Sequence, residues 1–73
     1  MKISNLLNDM SQAIADFELN NPGKEPKIIF HPDTLAFYKK HSPKTYVNGK
    51  SITIYGCPFE TDNEVDYFQI NSI

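Results

Sequence analysis

The sequence predicts a small α+β fold, α-β-α-β-β-β in order, with two helices packed on one face of a small mixed or antiparallel sheet. Three observations lead to this class: an amphipathic helical pattern at the start, a short apolar segment between prolines, and an Asn-Gly turn between two strand-like segments. A chain of 73 residues has room for one domain, residues 1–73. Its thin core makes a deep substrate cleft unexpected.

The first element is a helix whose apolar residues fall on one face. These residues are Ile3, Leu6, Leu7, Met10, Ile14 and Phe17. The sequence Asn-Asn-Pro-Gly at residues 20–23 ends the helix, because Pro cannot continue it and Gly tolerates a left-handed turn. We expect this face to join the core rather than a membrane, since no apolar run approaches the roughly 20 residues of a membrane span.

The second and third elements are a central strand and a short helix. Residues 27–31 are mostly β-branched or aromatic and lie between two prolines, which is typical of a covered strand. We interpret the His-Pro-Asp sequence at residues 31–33 as the strand end, the helix cap and the first turn of a helix. Pro suits the first helical position, and Asp33 complements the helix dipole. This helix is expected to end near His41.

An Asn-Gly pair at residues 48–49 predicts a hairpin over residues 45–55, because this pair favours the positive φ angles of a type I′ turn. The turn sets the cross-strand pairs: Tyr46 with Ser51, and Val47 with Lys50. The sequence Gly-Cys-Pro-Phe at residues 56–59 is expected to break the second strand, and an acidic loop over residues 60–66 follows. A last strand is predicted over residues 65–70, with Phe68 and Ile70 facing the helices.

The predicted fold leaves one sheet face without a helix. Strand alternation places four side chains on this open face: Tyr46, Thr53, Tyr55 and Tyr67. Tyrosine combines a large apolar ring with a polar tip, which suits a protein interface. We therefore predict a surface that binds a protein partner or a second copy of the chain, giving a homo-oligomer. The alternative is that the rings only shield a thin sheet.

Charge is unevenly distributed along a chain of 7 Lys, no Arg and 9 acidic residues, with a net charge of −2. Residues 39–50 hold four lysines and no acid, whereas residues 51–73 hold four acids and no base. Either Lys39, Lys40 and Lys44 or the acidic loop is predicted to steer the partner. The alternative function is a nucleic-acid-binding module using residues 39–50, which the net charge and the lack of Arg disfavour.

The sequence offers no recognisable catalytic or metal-binding pattern. His31, His41 and Cys57 are ten and sixteen residues apart, whereas metal ligands usually come in close pairs. A nucleophile would also need a base and an oxyanion hole. We predict a non-enzymatic protein with no cofactor, metal or small-molecule substrate. The single cysteine and the lack of a signal-peptide pattern favour the cytoplasm.

Three turn-rich segments resemble a pattern common in phage structural and accessory proteins. They are residues 28–34, the Asn-Gly pair at 48–49, and Tyr-Gly-Cys-Pro at 55–58. In those proteins a strand leads into a Pro-x-Thr helix start, and a later strand ends in Gly-x-Pro. The resemblance implies a small phage or prophage protein, either a virion component or an inhibitor of a host protein in the host cytoplasm. The lack of Arg beside 7 Asn and 8 Ile also favours an AT-rich genome.

Overall fold

A computed structural model describes residues 2–41, 46–47, 50–51 and 53–73, with only the backbone described at residues 46, 47, 50 and 51. The fold is α+β, as predicted, with two helices and a three-stranded mixed sheet. The elements in chain order are α1 (Ile3–Asn20), β1 (Pro26–Phe30), α2 (Pro32–His41), β2 (Tyr46–Val47), β3 (Lys50–Ser51), β4 (Phe59–Thr61) and β5 (Phe68–Ser72).

Helix α1 follows the predicted apolar stripe over 18 residues and buries Leu6, Met10 and Ile14. It ends as expected: the backbone N–H and the side-chain amide of Asn21 both donate to the carbonyl of Phe17, at 2.8 and 3.0 Å. Gly23 then takes a φ of 84°, a left-handed conformation that favours glycine. Within the described residues, neither helix has both the length and the apolar character that crossing a bilayer requires.

Strand β1 is the central strand, as predicted, in a sheet of order β4-β1-β5. It pairs parallel to β4 and antiparallel to β5. Ile28 and Phe30 point to the same side and are fully buried. There they join one core cluster with Leu35 of α2 and with the buried face of α1. Both helices therefore pack on the same face of the sheet.

Phe30 lies at the centre of the aromatic part of this core. Its ring centroid lies 5.9 Å from that of Phe59, 6.3 Å from that of Tyr38 and 6.5 Å from that of Phe68. These separations are typical of favourable aromatic pairs. The single ring of Phe30 thus connects α2 with both outer strands of the sheet.

The sequence did not predict β4, because its three residues are too few to show a periodic pattern. The sequence predicts a strand break that includes Phe59 and an acidic loop that includes residues 60–61. In the structure Phe59 aligns with Ile28, and the N–H of Ile28 donates to the carbonyl of Pro58 at 3.0 Å. The parallel crossover from β1 to β4 contains α2 and the hairpin, which gives it the length that such a connection needs.

The hairpin has the predicted register but is shorter than predicted. Tyr46 pairs with Ser51 and Val47 with Lys50 in a separate two-stranded sheet. Its Asn-Gly turn, Thr45 and Ile52 lie outside the described residues. The prediction that Tyr55 belongs to a strand is wrong: Tyr55 and Gly56 have φ values of 53° and 75° in a tight turn. That turn is closed by two backbone hydrogen bonds between Ile54 and Cys57, of 3.0 and 2.9 Å.

The sheet face away from the helices is polar. Of the three tyrosines predicted for this face, Tyr55 and Tyr67 have described side chains, and both lie elsewhere. Residues aligned across the register share a face, so this face carries Lys27, Ile29, Glu60, Gln69 and Asn71. Lys27 and Glu60 form an ion pair across it, and Ile29 between them is 8% exposed. Long polar side chains therefore cover the one apolar residue on this face.

Candidate protein-binding groove

An open groove of about 470 Å³ runs between α1 and β5. We call it the α1–β5 groove. It is lined by Asp9, Ala13, Asp16, Phe17, Asn20, Tyr67, Phe68, Gln69 and Ile70. Phe17, Phe68 and Ile70 are each partly buried, so apolar side chains form much of its floor.

The helical side of the groove is a second stripe of α1, next to the stripe that enters the core. Residues 9, 13, 16 and 20 recur at the spacing of one helical face. Ala13 keeps this wall low, because its side chain is a single methyl group. The pattern is present in the sequence, but mixed acidic and small residues resemble an ordinary solvated helix face. These four residues are therefore not recognisable as a binding surface from the sequence alone.

The strand side of the groove is an open sheet edge. The N–H of His31 donates to the carbonyl of Tyr67 at 3.0 Å, and the N–H of Ile73 donates to the carbonyl of Glu25 at 2.9 Å. Inward and outward backbone groups alternate along an antiparallel strand. The backbone N–H and C=O groups of Phe68, Ile70 and Ser72 therefore point away from β1. Among the described residues, no strand pairs with this edge.

The α1–β5 groove is acidic. Asp9 and Asp16 are exposed along its helical side, and the described residues that line it include no Lys. Neither α1 nor β5 contains a basic residue. A ligand in this groove therefore meets two carboxylates above an apolar floor.

Tyr67 lies at one end of the α1–β5 groove, and its hydroxyl donates to Oδ2 of Asp9 at 3.1 Å. Burial raises the pKa of Tyr67, and the hydrogen bond to Asp9 and the negative charge of Asp9 raise it further. The prediction that Tyr67 faces away from the helices is wrong. It precedes β5, so strand alternation does not fix its direction, and its ring packs 4.9 Å from that of Phe68.

A second, more enclosed groove of about 280 Å³ lies on the other side of α1. Its lining includes Glu18, Glu25, Tyr55 and Cys57. Cys57 is 4% exposed, and burial followed by the nearby charge of Glu18 raises the pKa of its thiol. A raised pKa keeps a thiol protonated and unreactive. Among the described residues, no group of three or more His, Cys, Asp or Glu is placed to hold a metal ion.

The structure separates the residues that the sequence grouped as a binding surface. Tyr55 is 54% exposed, and its hydroxyl donates to the carbonyl of Leu7 at 3.5 Å, on the α1 side of the fold. Thr53 is exposed, as are Lys39 and Lys40 in the last turn of α2. The side chain of Tyr46 and all of Lys44 lie outside the described residues. Of the predicted residues whose side chains the structure describes, only Tyr67 lines the α1–β5 groove.

The acidic loop, the other surface predicted to steer a partner, is partly used to build the fold. Glu60 belongs to β4 and pairs with Lys27. The Oδ1 atom of Asp62 accepts from the backbone N–H of Glu64 at 2.9 Å, which shapes the turn after β4. Glu64 and Asp66 are exposed. The loop therefore presents fewer uncommitted charges than its sequence indicates.

Comparison of the chain with protein-family models, with curated proteins and with solved structures found no match. The α1–β5 groove and its chemistry are therefore the basis for a functional proposal.

Proposed function

We propose that this protein is a non-enzymatic interaction module that binds a segment of a partner protein in the α1–β5 groove. One observation carries the proposal: a partly apolar groove lies directly beside an open strand edge. An extended segment can add to such an edge through main-chain hydrogen bonds, while the groove receives alternate side chains.

The edge supplies the affinity that does not depend on the partner's sequence. Phe68, Ile70 and Ser72 direct their backbone N–H and C=O groups outward over five residues of β5. A strand laid about 4.8 Å beyond β5 would satisfy these groups and extend the sheet to four strands. The same edge, left open, is a site at which proteins commonly associate.

The apolar floor of the α1–β5 groove supplies the hydrophobic contribution to the free energy of binding. Phe17, Phe68 and Ile70 retain accessible surface that a bound segment would remove from water. Burial of apolar surface stabilises a complex by about 25 cal/mol per Å² before the costs of association. An exposed apolar surface next to polar residues is also typical of interaction sites.

The proposal also keeps three parts of the sequence-based hypothesis on which the comparisons do not bear. They are a phage or low-GC bacterial origin, a role as a virion component or as an inhibitor of a host protein, and action in the cytoplasm. Lys39 and Lys40 are exposed and can steer an acidic region of the partner. Nothing in the described residues favours the alternative of nucleic-acid binding over protein binding.

A matched pair of arginine substitutions, each at an alanine of α1, tests the proposal. Ala13 lines the α1–β5 groove, whereas Ala15 is exposed about 200° away around α1. Peptides selected from a random displayed library on the unmodified protein should lose binding to Ala13→Arg and keep binding to Ala15→Arg. Circular dichroism would check that both variants remain folded. Selected peptides that bind all three proteins equally would contradict the proposal.

A further inference from the structure

We infer that the occupant of the α1–β5 groove is an extended cationic segment of a partner protein, with the pattern basic–x–apolar–x–basic on its groove-facing side. This inference rests on the proposed function and specifies the ligand of the same groove. Three features of the groove carry it: its charge, the spacing of its two carboxylates, and the open edge of β5.

The charge of the groove selects a cationic partner. Asp9 and Asp16 lie along one side, and no basic residue is present in α1, in β5 or among the described residues that line the groove. A bound lysine or arginine would therefore be attracted by two carboxylates, and a bound acidic residue would be repelled by them. Like charges brought together at an interface are strongly disfavoured, so the groove also excludes acidic segments.

The spacing of the carboxylates fits alternate positions of a strand. Asp9 and Asp16 are seven residues apart, which is about 10.5 Å along a helix axis. Side chains on one face of a strand recur every 6.8 Å or so, and positions i and i+4 are about 13.6 Å apart. Flexible basic side chains at i and i+4 therefore reach both carboxylates. The side chain at i+2 then lies over Ala13 and Ile70, where an apolar residue fits.

A second copy of this chain is a poorer occupant of the groove. Antiparallel pairing of two β5 strands would bring β5 and α1 of one copy against β5 and α1 of the other, and neither element contains a cation. The four carboxylates of Asp9 and Asp16 in the two copies would find no cation in these elements. Charge complementarity therefore favours a different protein over self-association.

Three synthetic peptides test the inference by NMR titration of the ¹⁵N-labelled full chain. The first, Thr-Lys-Thr-Val-Thr-Lys-Thr, carries the inferred pattern on one face. The second, Thr-Thr-Lys-Val-Lys-Thr-Thr, has the same composition but moves both lysines to the opposite face from its valine. The third replaces both lysines of the first with glutamate. All three are acetylated and amidated, so that terminal charges do not contribute.

The first peptide should shift the amide signals of Phe68, Ile70 and Ser72, which point outward, more than those of Gln69 and Asn71, which bond to β1. It should bind at least threefold more tightly than the second peptide, and the third should not bind. Asp16→Asn should weaken the first peptide about twofold to fivefold, as expected for one exposed ion pair. Glu18→Gln, which changes a carboxylate of α1 outside this groove, should leave its affinity unchanged.

Equal affinity for the three peptides, preference for the glutamate peptide, or unshifted outward amides would overturn the inference. Concentration-dependent shifts of the same amides without peptide would identify a second copy as the occupant and would also overturn it. The library selection separates the two claims. If neutral or acidic peptides are selected and Ala13→Arg abolishes their binding, the proposed function stands and the cationic occupant is wrong.

Discussion

Tyr67 and Asp9 are 58 positions apart in the chain, and the hydroxyl of Tyr67 donates to Oδ2 of Asp9 at 3.1 Å. This hydrogen bond joins the residue before β5 to the middle of α1, and it closes one end of the α1–β5 groove. It also keeps Tyr67 directed toward the helices rather than toward the polar face of the sheet. The orientation of the ring is therefore set by a long-range contact.

The link between these residues predicts an alkaline pH dependence. Because the folded state raises the pKa of Tyr67, the folded chain holds this proton more tightly than the unfolded chain. The resulting stability is complete below the ordinary tyrosine pKa of about 10 and is lost as the pH rises through the folded pKa. Urea unfolding at several alkaline pH values would measure this. Above pH 10 or so, the free energy of unfolding should fall less steeply with pH for Tyr67→Phe than for the unmodified chain.

Asp9→Asn should lower the pKa of Tyr67 toward its usual value, because it removes the negative charge and replaces a charged hydrogen-bond acceptor with a neutral one. NMR titration of the Tyr67 ring signals would measure this shift. Asp16→Asn is the matched control, since Asp16 lies in the same groove but has no part in the shift. An equal effect of the two substitutions would contradict the assigned role of Asp9.

His31 caps the second helix, as the His-Pro-Asp sequence predicted. The backbone N–H of Asp33 donates to Nδ1 of His31 at 3.0 Å, and the N–H of Thr34 donates to the His31 carbonyl at 2.9 Å. His31→Ala should lower the free energy of unfolding by about 1 kcal/mol, the usual effect of losing a side-chain cap. Thermal and urea unfolding would measure it. His31→Asn, which can also accept this bond, should recover most of the loss, and failure to do so would contradict the capping role.

Tyr55 occupies a strained position in the turn between Ile54 and Cys57. Its φ of 53° lies in the left-handed region, which an aromatic residue rarely adopts. Tyr55→Asn creates an Asn-Gly pair, the preferred sequence of a type I′ turn, and should raise the free energy of unfolding by about 1 kcal/mol. Urea unfolding would measure the gain.

Tyr55→Phe is the control for that substitution, because it keeps the strained backbone and removes only the hydroxyl. The hydroxyl makes a long hydrogen bond of 3.5 Å to the Leu7 carbonyl, so its loss should change stability by less than about 0.5 kcal/mol. Destabilisation by Tyr55→Asn would show that ring contacts outweigh the strain.

Patterns within single segments of the sequence predicted the helices, the central strand and the hairpin register. The apolar stripe of α1, the central position of β1, the start of α2 and the hairpin register follow from spacing, prolines and one Asn-Gly pair. Each of these signals lies within one segment and describes a structure formed by that segment. They were enough to predict the α+β class and the placement of both helices on one face.

The features that the sequence did not predict depend on contacts between distant segments. β4 exists because Phe59 aligns with Ile28, and no pattern within three residues shows this. The direction of Tyr67 depends on Asp9, and the outward direction of the Ile70 backbone depends on the register with β1. The α1–β5 groove combines α1 with β5, which explains why alternation along single strands predicted, among the described side chains, Tyr67 alone of its lining.

A pair of proline substitutions tests the register from which the open edge of β5 was derived. The Ser72 N–H points away from β1, whereas the Asn71 N–H lies in a bonded pair with Lys27. Proline removes an N–H and is tolerated in strands only where that group is not needed. Ser72→Pro should therefore change the free energy of unfolding by less than about 1 kcal/mol, and Asn71→Pro should lower it by 1–3 kcal/mol or so. Urea unfolding compares them, and a larger loss for Ser72→Pro would reverse the assigned edge and remove the basis for strand addition in the groove.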